Sequence, residues 1–407
     1  MVVELNYDVI VVGAGPAGSS AAFSASKAGL KVALVEKEEA VAQTVRTSGV
    51  TWMDVIEEFD IPAHCYNPVR NYVFCSPNNE VSIRSATPKA AVLDVRRTYR
   101  WLAEKAQKQD VELFLNTTVT GATKDSDRIV LHAVSSKQEM KFGAKVVIDA
   151  SGFQSVVGKS LGLVVQWKRF GVGAEYEARV ENSESDTWYL MVGQKYSPAG
   201  YAWIFPLGNN IVRIGVGVGK PESSLDPTER LKEIIDKKLG PVARLGKITP
   251  LEFHYGLIPN EGLSRRTVYD NLILVGDSAG QANPLVLEGI RYAIRYGRLA
   301  GQIAASAISK NDTTEKSLKP YEDAWKKEIL SKITSAAKVQ NRWLGLSDLQ
   351  WDQELDIIKE LSMEEFLDFI KADFGLANIL KLAAHHPKIA VRQLFNIVKG
   401  VVGTSSL

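Results

Sequence analysis

The sequence predicts an α/β fold: a buried parallel sheet built to hold a dinucleotide, an inserted antiparallel sheet, and a helical C-terminal region. Three observations predict it. A strand, a glycine turn, a helix and a second strand follow one another from Tyr7 to Glu36. Between Arg169 and Pro259 the pattern changes to alternating strands. The chain then returns to a buried strand ending in Gly276-Asp277. The expected division is a dinucleotide domain over 1–165 plus 260–312, an antiparallel domain over 166–259 and a helical region over 313–407. A strand pair near 66–95 is expected to join the substrate side.

Asp8-Val9-Ile10-Val11-Val12 is a short apolar run of the kind a strand buried on both faces shows. Gly13-Ala14-Gly15-Pro16-Ala17-Gly18 follows, then a small-residue helix from Ser19 to Ala28 and a strand, Lys31 to Val35, that ends on Glu36. Gly13 makes the tight turn, Gly15 lets a pyrophosphate approach the backbone, and Gly18 lets helix and strand pack closely. Pro16 and Ala17 open the helix, whose free N–H groups face the phosphates. Glu36, 18 residues after Gly18, is placed to accept from a ribose diol, with Lys37 beside it on the cofactor side.

The bulk numbers exclude several classes. With 407 residues, 45% apolar and 24% charged, the chain has ordinary globular composition and length for two or three domains. A net charge of +2 gives no global electrostatic reason to expect nucleic acid. Cys65 and Cys75, the only two cysteines, fit neither a C-x-x-C pair nor a zinc site, so no metal is expected and both read as free structural thiols in a reducing compartment. No signal peptide is expected before the first strand, and no run of eighteen apolar residues appears. The expected location is cytoplasmic, with peripheral contact at the inner membrane face left open.

Along the chain, Val45 to Trp52 is a loop in which Arg46 is either a partner for cofactor phosphate or a solvated charge, with Ser48 and Gly49 next to it. Trp52 to Phe59 has helical spacing, and Tyr72–Cys75 with Glu80–Arg84 reads as a strand pair. Arg96 precedes a helix from Arg97 to about Lys108 carrying Tyr99, Leu102 and Ala106 on one stripe; it is either a phosphate or flavin-edge contact or a helix-start charge. Short strands Val111–Leu115, Thr118–Thr123, Arg128–Val134 and Glu139–Phe142 suggest a meander. Lys145 to Ala150 is a buried parallel strand, and its turn at Ser151-Gly152 has the spacing to close over the cofactor.

The antiparallel region holds Pro198-Ala199-Gly200-Tyr201-Ala202-Trp203-Ile204-Phe205-Pro206, in which period two puts Tyr201, Trp203 and Phe205 on one face. That face is either sheet core or the wall of an apolar channel with the Tyr201 phenol as a donor. After it, Gly276-Asp277, a small-residue loop and a helix from Glu288 to Ile308 form a second cofactor signature. Asp277 is placed for the ribityl hydroxyls of a flavin, and the helix start at Gly289 and Ile290 for its pyrimidine edge. Nicotinamide has no ribityl chain, so the two signatures together point to FAD. Beyond residue 313 the expected helices are 320–342, 355–361, 363–371, 377–384 and 389–400; the last alternates apolar and basic residues and is either a docked helix or one resting on an anionic membrane.

With these residues in place, the chain resembles the geranylgeranyl reductase family of flavoproteins, in the form found in archaeal lipid biosynthesis. Gly13 to Gly18, Asp149-Ala150-Ser151-Gly152, and Gly276-Asp277 with Glu288-Gly289-Ile290 are shared with many FAD enzymes of the hydroxylase (glutathione-reductase-2) type. The more specific element is Pro198-x-x-Tyr201-x-Trp203-x-Phe205-Pro206, which matches the family's substrate-cavity motif at every fixed position. The resemblance implies reduction of isolated C=C bonds in prenylated lipids by reduced FAD. It implies a substrate wall of Tyr201, Trp203, Phe205 and Pro206, with Tyr201 and Trp203 as catalytic candidates. The reductant is NAD(P)H or a ferredoxin-like donor. One departure stands out: where the family often has Cys-Gly, this chain has Thr47-Ser48-Gly49. The competing expectations are a monooxygenase or halogenase of the same fold, and a flavoprotein using FAD without net redox change, as an isomerase or cyclase.

Overall fold

The strand Val3–Val12 lies at the centre of a parallel sheet because it is apolar on both faces; Val9, Ile10 and Val11 are fully buried. The protein is seen here as a computed structural model that describes residues 3–263, 265–371 and 384–386. The expected helix over 389–400, and that over 377–384 apart from Ala384, lie outside them. Val32–Val35 pairs parallel to one edge of the central strand, and Glu112–Phe114 pairs parallel beyond it. Gln138–Asp149 pairs parallel to the other edge, with Leu272–Leu274 parallel along its end.

Two expectations change here. Glu112–Phe114 is not part of a meander but an edge strand of the parallel sheet. Glu139–Phe142 and Lys145–Ala150 are one strand, Gln138–Asp149: Gly143 and Ala144 do not turn, because both stay in register with Asn6 and Tyr7. The antiparallel hairpin Thr117–Asp125 and Arg128–Ser135 extends from its first half.

Two helices cross one face of this sheet. Pro16–Lys27 runs against Ile290–Ser309 through small residues; a Cβ on Gly297 or Gly301 would stand 2.3 Å from the carbonyl oxygen of Ala17 or Ala21. Such close approach is what glycine permits in a helix despite its poor intrinsic propensity. The helix Glu315–Trp343 anchors on the same core through Tyr321 and Trp325, both fully buried.

The second sheet has seven strands in the order Ile248–Pro259, Phe170–Val180, Ile211–Lys220, Gly200–Gly208, Thr187–Val192, Asn71–Cys75, Glu80–Arg84. All neighbours are antiparallel except Thr187–Val192 with Asn71–Cys75, which is parallel. The last two strands come from the N-terminal segment. A small sheet of Val50–Trp52, Ala90–Leu93 and Tyr66–Val69 joins the two large ones.

The helices Asp348–Glu360 and Met363–Ile370 roof the seven-stranded sheet. Each starts at a reciprocal serine cap, Ser347 with Gln350 and Ser362 with Glu365, which satisfies two otherwise orphan N–H groups. Phe366 packs between Tyr72 and Phe74, with ring centroids 5.5 and 5.6 Å away. Among the described residues no helix is long and apolar enough to cross a membrane.

Candidate functional site

The glycine turn is built as its sequence requires, with each glycine needed for a different reason. Gly13 sits at φ +100°, where side chains are strained, and its N–H donates to the Val35 carbonyl at 2.8 Å. A Cβ on Gly18 would stand 1.8 Å from the Gly13 carbonyl oxygen, so Gly18 closes turn onto helix. A Cβ on Gly15 meets no protein atom within 4 Å, and no side chain caps the helix that Pro16 opens. The open position therefore lies where the first-turn N–H groups can meet an anion.

The expected partners gather round this turn. Ser151 lies against Gly13, and Gly152, at φ +71°, has open space at its Cβ position. The Ser151 hydroxyl donates to Asp149, which also accepts from the N–H groups of Val157 and Gly158 and so caps the helix Val156–Ser160. Gly276 abuts Ala17, and the Asp277 carboxylate stands 3.5 Å from where a Cβ on Gly289 would be. Gly289 is the residue before the helix at Ile290, which again has no side-chain cap. Among the described residues no donor reaches the Asp277 carboxylate, and desolvation pushes it up to about 6. A half-buried carboxylate without a protein donor, near two helix N-termini that no side chain caps, fits a ligand with a phosphate group and several hydroxyls. FAD, with two phosphates and a ribityl chain, is such a ligand.

Glu36 is held in place by the protein: Oε2 accepts from the Ala14 N–H at 2.8 Å and Oε1 from the Glu38 N–H at 3.0 Å. Lys37 is exposed beside it. The two arginines expected near phosphate are otherwise engaged. Arg46 pairs with Glu38, and Arg96 forms a two-pronged pair with Glu252 and donates to the Gln43 carbonyl at 3.0 Å. Forked guanidinium–carboxylate pairing of this kind fixes both side chains. Ser48 presents its carbonyl to Arg213 at 2.8 Å. At Gly49, φ +78°, a Cβ would stand 2.9 Å from both Arg213 and the Leu93 carbonyl oxygen, so this glycine serves loop packing. Tyr99, read as helix packing, contributes to the site. Burial raises its phenol, with the Asp277 charge adding to the effect.

From the Thr47-Ser48 loop a cavity, open at its mouth, runs over the seven-stranded sheet beneath the roof helices. One face of the sheet forms its floor. Tyr201, Trp203 and Phe205 do share that face, and Trp203 stacks on Phe205 at 6.0 Å and 15°. Trp203 lies flat across the neighbouring strand: a Cβ on Gly215 would stand 2.3 Å from its ring. Leu287, at φ +51°, presses on Gly171 in the same way.

Two substrate-side residues are placed otherwise than the motif suggests. Pro206 falls, with Ile204, on the opposite face of the strand, where period two puts even-numbered residues. The Tyr201 hydroxyl is not a free donor but gives its proton to the Val286 carbonyl at 2.6 Å, and burial pushes its phenol well above the ordinary tyrosine range.

A charged cluster within this apolar wall was not foreseen. Glu175, 3% exposed, accepts from the Trp203 indole N–H at 3.0 Å and pairs with His254 Nδ1 at 2.8 Å. Arg213, 2% exposed, stands 3.7 Å from Glu175 and 3.3 Å from Glu177, and donates to Ser48 and Leu93. The signal was present: Gly171, Gly173, Glu175 and Glu177 alternate on the cavity face of one strand, and a carboxylate on a buried face requires a partner.

Comparison with known proteins agrees with this geometry. Residues 8–160 match the FAD dependent oxidoreductase family, and residues 171–257 match the geranylgeranyl reductase catalytic domain. The digeranylgeranylglycerophospholipid reductase of Methanocaldococcus jannaschii is 33% identical over 90% of this chain and 93% of its own. One of the two from Methanopyrus kandleri is 29% identical over 93% and 97%. A geranylgeranyl bacteriochlorophyll reductase-like protein of Thermoplasma acidophilum superposes with a TM-score of 0.85 at 25% identity, over 97% of this chain and 99% of that one. The halogenase PltM shares the fold alone, at 16% identity and a TM-score of 0.67 over 93% of this chain and 83% of its own. At 33% identity to a digeranylgeranylglycerophospholipid reductase over nine-tenths of the chain, with the glycine turn and the aromatic cavity wall in place, the protein belongs to the geranylgeranyl reductase family of FAD-dependent oxidoreductases.

Proposed function

We propose that the protein saturates isolated C=C bonds in the geranylgeranyl chains of an archaeal-type glycerophospholipid or its precursor. The observation that carries this reading is the cavity. It is lined mostly by apolar side chains, with Gly171, Gly173, Gly217 and Gly219 along its floor and Trp203 and Phe205 in its wall, and it reaches the Thr47-Ser48 loop. A polyprenyl chain needs such a groove, because its affinity comes from apolar area alone.

Bound FAD, when reduced, supplies the hydride. The chain's residues do the rest. The helix at Pro16 holds the pyrophosphate, Glu36 a ribose, Asp277 the ribityl hydroxyls, and the helix at Ile290 the electron-rich edge of the ring. Ser151, Gly152 and Gly276 line the turn between them. An unactivated alkene has no carbonyl to take up charge, so position does much of the work. Trp203 and Phe205 fix the chain laterally and exclude water, while Tyr201 holds the Val286–Leu287 segment down over the glycine floor. Arg46 and Arg96, locked by Glu38 and Glu252, shape the rim rather than bind phosphate. Electrons come from NAD(P)H or a ferredoxin-like donor, and the lipid is drawn from a membrane surface by peripheral contact.

The experiment is anaerobic. Purified protein is reduced with dithionite and mixed with geranylgeranyl glycerolipids, and the products are weighed by mass spectrometry. A gain of about two mass units per double bond supports the reading. Oxygen-dependent NAD(P)H consumption with no saturated product, or turnover without any electron input, refutes it.

A further inference from the structure

Leu287 adopts a backbone conformation that leucine avoids. Its φ is +51°, and among the described residues other than glycine with positive φ the rest are Ala, Ser, Asn, Asp or Lys. A branched apolar side chain in the left-handed region is strained, and it persists only where its surroundings hold it. They hold it from both sides. The Val286 carbonyl, one residue earlier, accepts from the Tyr201 hydroxyl at 2.6 Å, and the Glu288 carbonyl, one residue later, accepts from the Asn283 N–H at 2.9 Å. The Asn283 side chain closes the loop by accepting from the Leu285 N–H at 2.9 Å, and it donates to the Lys371 carbonyl at the end of the roof at 3.2 Å.

The place so held is a junction. Leu287, Glu288, Gly289 and Ile290 all border the cavity, and Ile290 opens the helix assigned above to the edge of the flavin ring. The Cδ1 atom of Leu287 lies 2.4 Å from where a Cβ on Gly171 would be, so the bare strand lets the isobutyl group rest on the cavity floor. Folding alone does not call for leucine here, because glycine adopts the same φ without strain.

The double bonds of a prenyl chain are chemically alike, and each carries a methyl branch. Apolar contact holds such a chain without fixing how far it has slid. A rigid bulge beside the reaction point does fix it, because a methyl branch and an isobutyl group cannot fill the same space. We propose that Leu287 is a specificity-determining residue that sets the register of the prenyl chain, and so selects which double bond is presented to the flavin. This rests on the reductase reading and deepens it.

Three variants of the full-length, FAD-loaded protein test this. Leu287→Gly and Leu287→Ala both delete the isobutyl group, but only glycine releases the backbone. Leu287→Gly should therefore melt at a higher temperature than Leu287→Ala, and the reverse order overturns the proposal. In anaerobic turnover of a geranylgeranyl glycerolipid, stopped early, the remaining double bonds are mapped by ozonolysis and mass spectrometry. The wild type should give one predominant partly reduced isomer. Both Leu287 variants should give a mixture, with kcat lowered by roughly 10- to 10²-fold and KM changed less, as a misplaced reacting bond requires. Gly171→Ala, which keeps Leu287 but takes the space of its Cδ1 atom, should mix the isomers as well. An unordered wild-type mixture, or the wild-type isomer in both Leu287 variants, overturns the proposal and leaves the reductase reading standing. Failure of the wild-type protein to saturate any prenyl chain overturns the reductase reading itself.

Discussion

Trp203 is wedged in three ways: stacked on Phe205, laid flat on Gly215, and hydrogen-bonded to a buried carboxylate. Two substitutions separate these roles. Trp203→Phe keeps a ring on the glycine floor but deletes the N–H, so Glu175 loses a donor; a hydrogen bond to a charged group is worth about 1.5–3 kcal/mol. Trp203→Ala also removes the ring and leaves a cavity, for a total of roughly 3–5 kcal/mol. The difference, about 1.5–2 kcal/mol, is the packing share. Urea melts of the FAD-loaded variants should therefore rank wild type, Trp203→Phe and Trp203→Ala in that order, with unchanged flavin content. In kinetics, loss of that packing share of about 1.5–2 kcal/mol from the wall would lower kcat/KM for a twenty-carbon chain by roughly 10- to 30-fold, and for short prenyl chains less. If Trp203→Phe proves as damaging as Trp203→Ala, the indole N–H alone matters. If neither variant shifts stability or long-chain turnover, the ring is not a wall.

Three other outcomes are expected. Gly15→Val should fold normally yet lose FAD, because its side chain enters space the protein leaves open; Gly18→Ala, whose methyl meets a backbone oxygen at 1.8 Å, should instead lose stability in thermal melts. Asp277 ionises near pH 6 in the folded chain against an ordinary 3.8, so FAD-stripped protein should lose stability as pH rises from about 4 through 6. Asp277→Asn should abolish that loss, worth at most about 3 kcal/mol, while weakening FAD retention in equilibrium dialysis. Burial raises the thiols of both Cys65 and Cys75, so Ellman's reagent at pH 8 should be slow with native protein and count two thiols once it is unfolded.

The dinucleotide turn was legible because its requirements are local. Gly13, Gly15 and Gly18 act over six residues, and burial of the strand on both faces leaves a continuous apolar run. Period two likewise puts Tyr201, Trp203 and Phe205 on one face and Pro206 on the other. What escaped depends on partners far apart in sequence. Nothing near Arg96 announces Glu252, 156 residues away, and only the fold brings Trp203, Glu175 and His254 together. Tyr99 fitted an apolar helical stripe, a pattern that cannot tell a core from a cofactor cleft. The strand Glu112–Phe114 was misplaced because three residues carry too little pattern to separate a parallel edge from a meander.

The parallel pairing of Asn71–Cys75 with Thr187–Val192 has a mechanical consequence. The N-terminal segment is sewn into the sheet that forms the cavity floor, and Arg213 stitches that sheet back to Ser48 and Leu93. The chain's own path thus ties the two lobes together at more than one place. The roof over the cavity, by contrast, is two short helices, Asp348–Glu360 and Met363–Ile370, attached to the sheet side by contacts such as Asp352 with Ser76 and Asn78.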